Sequence, residues 1–240
     1  MKLEKALYQK SFFYFIGFTF FMLVGFWMTY FTQILNQENY RMHLHGIAMF
    51  LWCALLISQA YLIRKKKFAL HKTLGKTTYV LVPFIAYTTI DLYKFRLSQS
   101  PEIADVDYLF TASVLIALLV FLIFYGLAIY FKNRPTIHAR FMVCTVFAMF
   151  TAIIDRIIRT YFPGLLPYLP SGIAGPIVQV VGLTLADVIL VLLCIWDWKS
   201  HKRFNVFPVA LGIHLGYHYS VMNFYKFEFW KSFSVWFFNL

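Results

Sequence analysis

Apolar runs of about 20 residues follow one another along almost the whole chain, and this repetition constrains the fold more than any other feature. As an α-helix, a run of that length crosses the ~30 Å of hydrocarbon in a bilayer. A helix is required there because lipid offers no hydrogen-bond partner, so each backbone N–H and C=O must be paired within its own segment. We therefore predict an all-α fold, a polytopic transmembrane bundle of seven helices that forms one domain over residues 1–240.

The seven predicted spans are separated by short polar loops and cover residues 12–33, 43–63, 74–93, 108–131, 139–162, 175–196 and 205–224. Residues 162–176, between the fifth and sixth spans, are rich in proline and glycine, which favours an external connector or, alternatively, a lid or re-entrant stretch. The tail, residues 225–240, mixes aromatic side chains with a few charges. This pattern is typical of a segment that lies at the membrane interface.

Composition and charge support a membrane protein. The chain is 61% hydrophobic and 13% charged, against roughly 45–50% and 25% in soluble domains. The net charge of +12 comes from Lys and Arg in short loops, so we expect a topology signal and no nucleic-acid partner. One set of loops carries Lys2, Lys5, Lys10, Arg64, Lys65, Lys66, Lys67, Lys72, Lys76, Lys132, Arg134, Arg140, Lys199, Lys202 and Arg203. The other carries few basic residues and the acids Glu38, Glu102, Asp105, Asp107 and Glu228. The first set therefore indicates the cytoplasmic side, with the N-terminus inside and the C-terminus outside.

Ionisable residues inside the predicted spans are the candidates for function, because each costs about 2.5–3.5 kcal/mol on insertion scales. His214 and His218 are four residues apart, so both imidazoles project from one helix face and could share a transition metal. Asp187, or His43 and His45 from a neighbouring span, could complete the ligand set. Hydrogen bonding between helices and a proton relay remain alternatives for the same residues.

Two further groups are less specific. Asp155 and Arg159 have the spacing of an intrahelical ion pair, and together with Arg156 they could instead bind an anion or a lipid headgroup. His71 and His138 each begin a predicted helix beside basic residues. They could anchor the chain at headgroup level, or sandwich a haem iron between two helices.

Short motifs resemble those of known families. Residues 42–46 (Met-His-Leu-His-Gly), 71–75 (His-Lys-Thr-Leu-Gly) and 135–142 (Pro-Thr-Ile-His-Ala-Arg-Phe-Met), with Gln59, Arg64 and Arg156, resemble a group of uncharacterised bacterial multi-spanning membrane proteins. That resemblance covers the second to fifth spans and implies no particular activity.

Two fainter similarities imply cofactors. The histidine spacing is similar to that of two-haem b-type membrane cytochromes, which implies haem b at His71 and His138. Those proteins carry paired histidines on four helices and the span 108–131 has none, so at most one haem site is implied. The His-x-x-x-His pattern at His214 and His218 is similar to the zinc-dependent adiponectin-receptor and alkaline-ceramidase superfamily. Its further zinc-binding histidine, in the inner half of the second span, is missing here.

These patterns favour a membrane oxidoreductase or electron-transfer protein that holds a transition metal (zinc, iron or copper) or haem b and acts on a quinone or a lipid. A zinc-dependent lipid hydrolase, with Asp187 or Asp91 as general base, is the second hypothesis. A proton-coupled transporter that uses Asp155, Asp187 and the histidines, or a structural membrane subunit, is the third. In each case we expect the site in the outer half of the bundle.

Overall fold

The computed structural model describes residues 2–100, 103–172 and 175–239, and it confirms an all-helical chain. Glu102, which the topology prediction uses, lies outside the described residues. In the described ranges the α-helices are α1 Leu3–Trp27, α2 Tyr40–Arg64, α3 Phe68–Gly75, α4 Thr78–Ser98, α5 Asp105–Tyr130, α6 Pro135–Cys144, α7 Phe147–Tyr161, α8 Gln179–His201, α9 Val206–Asn223 and α10 Glu228–Asn239. A 3-10 turn, Pro163–Tyr168, and a two-residue antiparallel pair, β1 Ser171–Gly172 with β2 Gly175–Pro176, join α7 to α8.

Five of these helical segments are long and apolar enough to cross a membrane by length and composition. They are Leu3–Trp27, Tyr40–Arg64, Asp105–Tyr130, Pro135–Tyr161 and Gln179–His201. The two other predicted spans correspond to α4 and α9, whose polar side chains lower their mean hydropathy. In α4 these include Asp91 and Lys94, and in α9 they include the two histidines. The seven-span count therefore stays a prediction.

Helix ends differ from the predicted ranges where polar residues continue a helix. The range 12–33 corresponds to α1, which begins at Leu3 and ends at Trp27. Lysine is a good helix former whose stem lies along apolar surface while its amine reaches water, so Lys5 and Lys10 extend the helix. The ranges 74–93 and 175–196 shift to Thr78–Ser98 and Gln179–His201 for a similar reason. The predicted tail, 225–240, contains a further helix, α10.

The predicted span 139–162 is divided in the structure into α6 and α7. At the break, the hydroxyl of Thr145 donates to the carbonyl of Met142 at 2.7 Å. A threonine hydroxyl that takes a backbone carbonyl competes with the helical ladder. The amides of Thr145 and Val146 accordingly bond three residues back rather than four.

The chain divides into two compact units, Met1–Leu92 and Tyr93–Leu240. In the first unit, α2 packs against α1 and α3 and buries Trp52, Cys53 and Leu56. An ion pair between Arg41 of α2 and Asp91 of α4, with Nε to Oδ2 at 3.1 Å, links these two helices within the unit.

In the second unit, α5 packs against α6, α7 and α9, and α8 packs between α7 and α9. The contact of α7 with α8 is close, because a Cβ added to Gly182 would lie 2.8 Å from the Cα of Thr151. Small residues permit such approaches between membrane helices. Tyr217 of α9 donates to the carbonyl of Ser113 on α5 at 3.1 Å and to the hydroxyl of Thr151 on α7 at 3.2 Å, so one buried phenol joins three helices.

Candidate functional site

Asp187 of α8 holds both histidines of α9 with one carboxylate. The Nδ1 of His214 lies 2.6 Å from Oδ1, and the Nδ1 of His218 lies 2.6 Å from Oδ2. The spacing of four residues places the two imidazoles one turn apart on the same face of α9, and that face meets α8 at Asp187. We call these three residues the Asp187 cluster.

The tautomers of the two rings in the Asp187 cluster depend on the charge of the carboxylate. When Asp187 is ionised its oxygens only accept, so each ring then carries a proton on Nδ1 and leaves Nε2 for other interactions. The Nε2 of His214 is buried and has no hydrogen-bond partner among the described residues. The ring of Tyr217 lies edge-on to that of His214, with centroids 5.5 Å apart.

The three members of the cluster differ in how far they are exposed at the protein surface. The side chain of His218 is 22% exposed, that of Asp187 is 13% exposed and that of His214 is fully buried. At a rise of ~1.5 Å per residue, Asp187 lies about 12 Å along α8 from its first residue. Asp187 thus lies within a helix of membrane-spanning length. Of its two partners on α9, His218 lies at the protein surface and His214 is buried.

Of the predicted metal ligands, His214 and His218 lie together with Asp187, while His43 makes other contacts in the first unit. Among the described residues, no group of three or more His, Cys, Asp or Glu side chains is arranged to hold a metal ion. His43 lies in the first unit, where its Nε2 donates to the carbonyl of Gln37 at 2.8 Å and its Nδ1 lies 3.0 Å from the hydroxyl of Tyr30. Both ring nitrogens of His43 are thus engaged in holding the α1–α2 connection.

His45 and Asp91, also predicted site residues, take part in contacts between α2 and α4. The Nδ1 of His45 lies 3.4 Å from the hydroxyl of Thr88. Asp91, proposed from sequence as a general base, pairs with Arg41. The carboxylate of Asp91 is thus engaged by a side chain of α2.

Asp155 and Arg159 form the predicted intrahelical ion pair on α7, with Nε to Oδ1 at 3.0 Å. Arg159 is 43% exposed and Asp155 is 16% exposed, so the pair lies at the protein surface. Arg156, the third member of the predicted anion site, donates through Nη1 to the carbonyl of Ala152 at 3.0 Å.

The two histidines predicted to sandwich haem lie in different units. His71 belongs to α3, where its Nδ1 is buried. His138 belongs to α6, where its Nδ1 donates to the carbonyl of Ala128 on α5 at 2.8 Å. The second contact fixes the His138 ring against the end of α5, and the haem assignment stays a prediction.

A deeply buried arginine–carboxylate pair among the described residues was not predicted. Arg140 of α6 and Asp197 of α8 are almost completely buried and make two parallel bonds, Nε to Oδ2 at 2.9 Å and Nη2 to Oδ1 at 2.8 Å. The remaining Nη1 of Arg140 donates to the carbonyl of Thr136 at 2.8 Å, and His201 approaches Oδ1 of Asp197 at 3.3 Å. The signal in the sequence was a lone acid, Asp197, between two tryptophans near the end of an apolar run.

Comparisons with protein-family models, with curated proteins and with solved structures find no match to this chain. The resemblances that the sequence motifs suggest therefore stay predictions.

Proposed function

We propose that the protein is a proton-coupled transporter of a bacterial cytoplasmic membrane and that the Asp187 cluster is its proton-binding site. In this proposal α4 and α9 join the five apolar segments as spans, the N-terminus is cytoplasmic and the C-terminus is external. The distribution of basic residues among the loops supports that orientation.

The observation that carries the proposal is one carboxylate shared by two imidazoles within a bundle of apolar helices. With Asp187 ionised and both rings neutral, the cluster has one negative charge. One added proton makes it neutral, and a second makes it positive. Since a net charge in a bilayer costs about 2.5–3.5 kcal/mol on insertion scales, the state with one added proton is favoured. The cluster is therefore suited to bind and release a single proton.

Unequal exposure supports a direction for that proton. His218 is the open member, so a proton arrives on its Nε2 and the positive ring is stabilised by the Asp187 carboxylate. The Nδ1 proton of His218 can then pass to Oδ2 of Asp187 across their 2.6 Å contact, which leaves the carboxyl neutral and the ring of His218 neutral with its proton on Nε2. His214 keeps the proton on its Nδ1 and continues to donate to Oδ1 of Asp187.

Proton flux through reconstituted protein tests the proposal. Proteoliposomes that contain a pH-sensitive dye receive an external acid pulse, and the rate of internal acidification is recorded for wild type and for Asp187→Asn. Asp155→Asn is the matched control, because it removes a carboxylate that is paired within α7. We expect faster acidification than in empty vesicles for wild type and Asp155→Asn, and the rate of empty vesicles for Asp187→Asn. A wild-type rate equal to that of empty vesicles, or a wild-type rate in Asp187→Asn, would contradict the proposal.

A haem-dependent electron-transfer protein is the second candidate, and one observation favours it. The Nε2 of His214 is buried without a partner among the described residues, while its Nδ1 is held by a carboxylate. Metal-ligating histidines are commonly oriented in this way. Haem iron needs only one imidazole on each face, unlike a cluster of three or more ligands. A Soret band in the purified protein that disappears in His214→Ala would favour this function, and its absence from wild type would exclude it.

A further inference from the structure

An apolar groove in the first unit lies between α1, α2 and α3. Its volume is about 320 Å³, and its walls include Phe12 of α1, Ile57, Tyr61 and Leu62 of α2, and Leu70 and Leu74 of α3. Pockets that hold small ligands fall at about 300–1,000 Å³. The groove is therefore large enough for part of an apolar chain, and its lining offers that chain almost no polar partner.

Two cationic side chains, Arg64 and Lys65, contact aromatic rings in or next to the groove lining. The guanidinium of Arg64 lies 4.8 Å from the ring centroid of Phe13, which in turn contacts Phe12 at 5.3 Å. The ammonium of Lys65 lies 5.8 Å from the ring centroid of Tyr61. Contacts between cations and aromatic faces hold both charges close to the end of the groove where α2 ends.

The backbone fixes this cationic end of α2. The amide of Lys66 bonds to the carbonyl of Ile63 at 3.0 Å, and the amide of Lys67 bonds to that of Leu62 at 2.9 Å. Lys66 adopts a left-handed φ of 57°, as expected where a helix is closed by such paired bonds. Four consecutive basic residues, 64–67, are thereby held at the end of α2, within a few residues of Tyr61 and Leu62 of the groove lining.

No carboxylate among the described residues pairs with Arg64 or Lys65. Their charges therefore remain available to an anion from outside the chain. An anion that also carries an apolar chain would satisfy both the cations and the groove.

We propose that this groove binds an anionic phospholipid, with an acyl chain between Phe12, Tyr61 and Leu70 and the phosphate between Arg64 and Lys65. Basic pockets beside membrane helices select anionic over zwitterionic headgroups because the net negative charge is not offset by an amine. The groove is independent of the Asp187 cluster, since it shares no residue with it and lies in the other unit.

Native mass spectrometry of the detergent-purified full chain tests the proposal. The protein is mixed with equal amounts of dioleoylphosphatidylglycerol and dioleoylphosphatidylcholine, and the fraction that keeps each lipid is measured. We expect preferential retention of phosphatidylglycerol by wild type, and a drop of roughly fivefold for each cation removed in Arg64→Gln and Lys65→Gln. Equal retention of the two lipids by wild type would overturn the proposal.

Lys202→Gln is the matched control. Its ammonium lies 5.6 Å from the ring centroid of Trp198, a similar arrangement of cation and ring, but it belongs to the end of α8 in the other unit. We expect this variant to retain phosphatidylglycerol as wild type does. A loss equal to that of Arg64→Gln would show that general surface charge accounts for retention and would overturn the site.

A change inside the groove separates a lipid from a free phosphate. Leu70 is 52% exposed, so Leu70→Trp fills the groove while leaving the cations and the buried core in place. We expect this variant to lose phosphatidylglycerol, and an excess of inorganic phosphate to leave wild-type retention unchanged. Wild-type retention in Leu70→Trp, or displacement of the lipid by inorganic phosphate, would show that only the charge is recognised and would contradict the acyl-chain site.

Discussion

The Nδ1 of His214 on α9 lies 2.6 Å from Oδ1 of Asp187 on α8, and the histidine is fully buried. One helical turn further along α9, His218 makes the same contact with the other carboxylate oxygen. The carboxylate thus joins the two helices at two points, which fixes their register and places both rings where charge is costly. The same carboxylate is therefore both a structural link between α8 and α9 and the proposed proton-binding group.

The two histidines should differ in their effect on stability. His214→Ala leaves a buried cavity and removes a charge-assisted hydrogen bond, so we expect a loss of about 3 kcal/mol in the free energy of unfolding. His218→Ala leaves a site that solvent reaches, and we expect roughly 1 kcal/mol. Thermal unfolding in detergent measures both. Equal losses would contradict the difference in burial.

The Arg140–Asp197 pair should show the energetics of a buried ion pair. Arg140→Met removes both short bonds to Asp197 and leaves this buried carboxylate with only the 3.3 Å contact to His201, so we expect a loss of roughly 3–5 kcal/mol in unfolding free energy. Arg140→Met combined with Asp197→Leu should regain most of that loss, because no buried charge then remains.

The exposed pair on α7 is the control for this double-mutant cycle. Removing Arg159, or both Arg159 and Asp155, should change unfolding free energy by only about 0–1 kcal/mol. A double variant, Arg140→Met with Asp197→Leu, that is no more stable than Arg140→Met alone would contradict the predicted recovery of stability at the buried pair.

The close contact between α7 and α8 should tolerate no side chain at Gly182. A Cβ there would lie 2.8 Å from the Cα of Thr151, so Gly182→Ala must push the helices apart, and we expect a loss of about 1–3 kcal/mol. Gly212→Ala is the control, because nothing lies within 4 Å of its Cβ position. An alanine is there expected to stabilise α9 by about 0.5–1 kcal/mol. If Gly182→Ala and Gly212→Ala shift the unfolding temperature in the same direction, the close approach of α7 and α8 at Gly182 is contradicted.

A buried amide on α2 should be replaceable with a gain in stability. Gln59 is 8% exposed, and neither polar atom of its amide has a hydrogen-bond partner among the described residues. Gln59→Leu replaces this buried amide, whose polar atoms make no hydrogen bond, with an apolar side chain. We therefore expect about 1 kcal/mol of added stability in thermal unfolding. Gln59→Glu, which adds a buried charge, should destabilise the protein. A lower unfolding temperature for Gln59→Leu would indicate that the amide is paired after all.

The long helices were predictable because each apolar run must pair its own backbone, as in Asp105–Tyr130, where the predicted range 108–131 is close. Their ends were less predictable, since hydropathy says little about where a helix continues into polar residues. Lys5 and Lys10 extend α1 although they interrupt the apolar run. The division at Thr145 depends on a side-chain hydrogen bond that hydropathy does not report.

Within the candidate site, the local relationships were predictable and the distant ones were not. The spacing of His214 and His218, and that of Asp155 and Arg159, follows from the helical period, and the second pair was confirmed. The partner of Arg140 lies 57 residues away, so no local pattern indicates it. His43 was expected to reach a metal, but its ring is held by Tyr30 from an irregular connection that sequence spacing does not describe.

The most direct test of the proton-binding cluster is ¹⁵N NMR of histidine-labelled protein in lipid bilayers, recorded from mildly acidic to mildly alkaline pH. We predict that the neutral rings of His214 and His218 carry their proton on Nδ1, because both Nδ1 atoms face the carboxylate of Asp187. In Asp187→Asn the resonances of both rings should shift, because the carboxylate that accepts from them is lost, while Asp155→Asn should match wild type. Neutral rings protonated on Nε2 in wild type, or resonances unchanged in Asp187→Asn, would contradict the account.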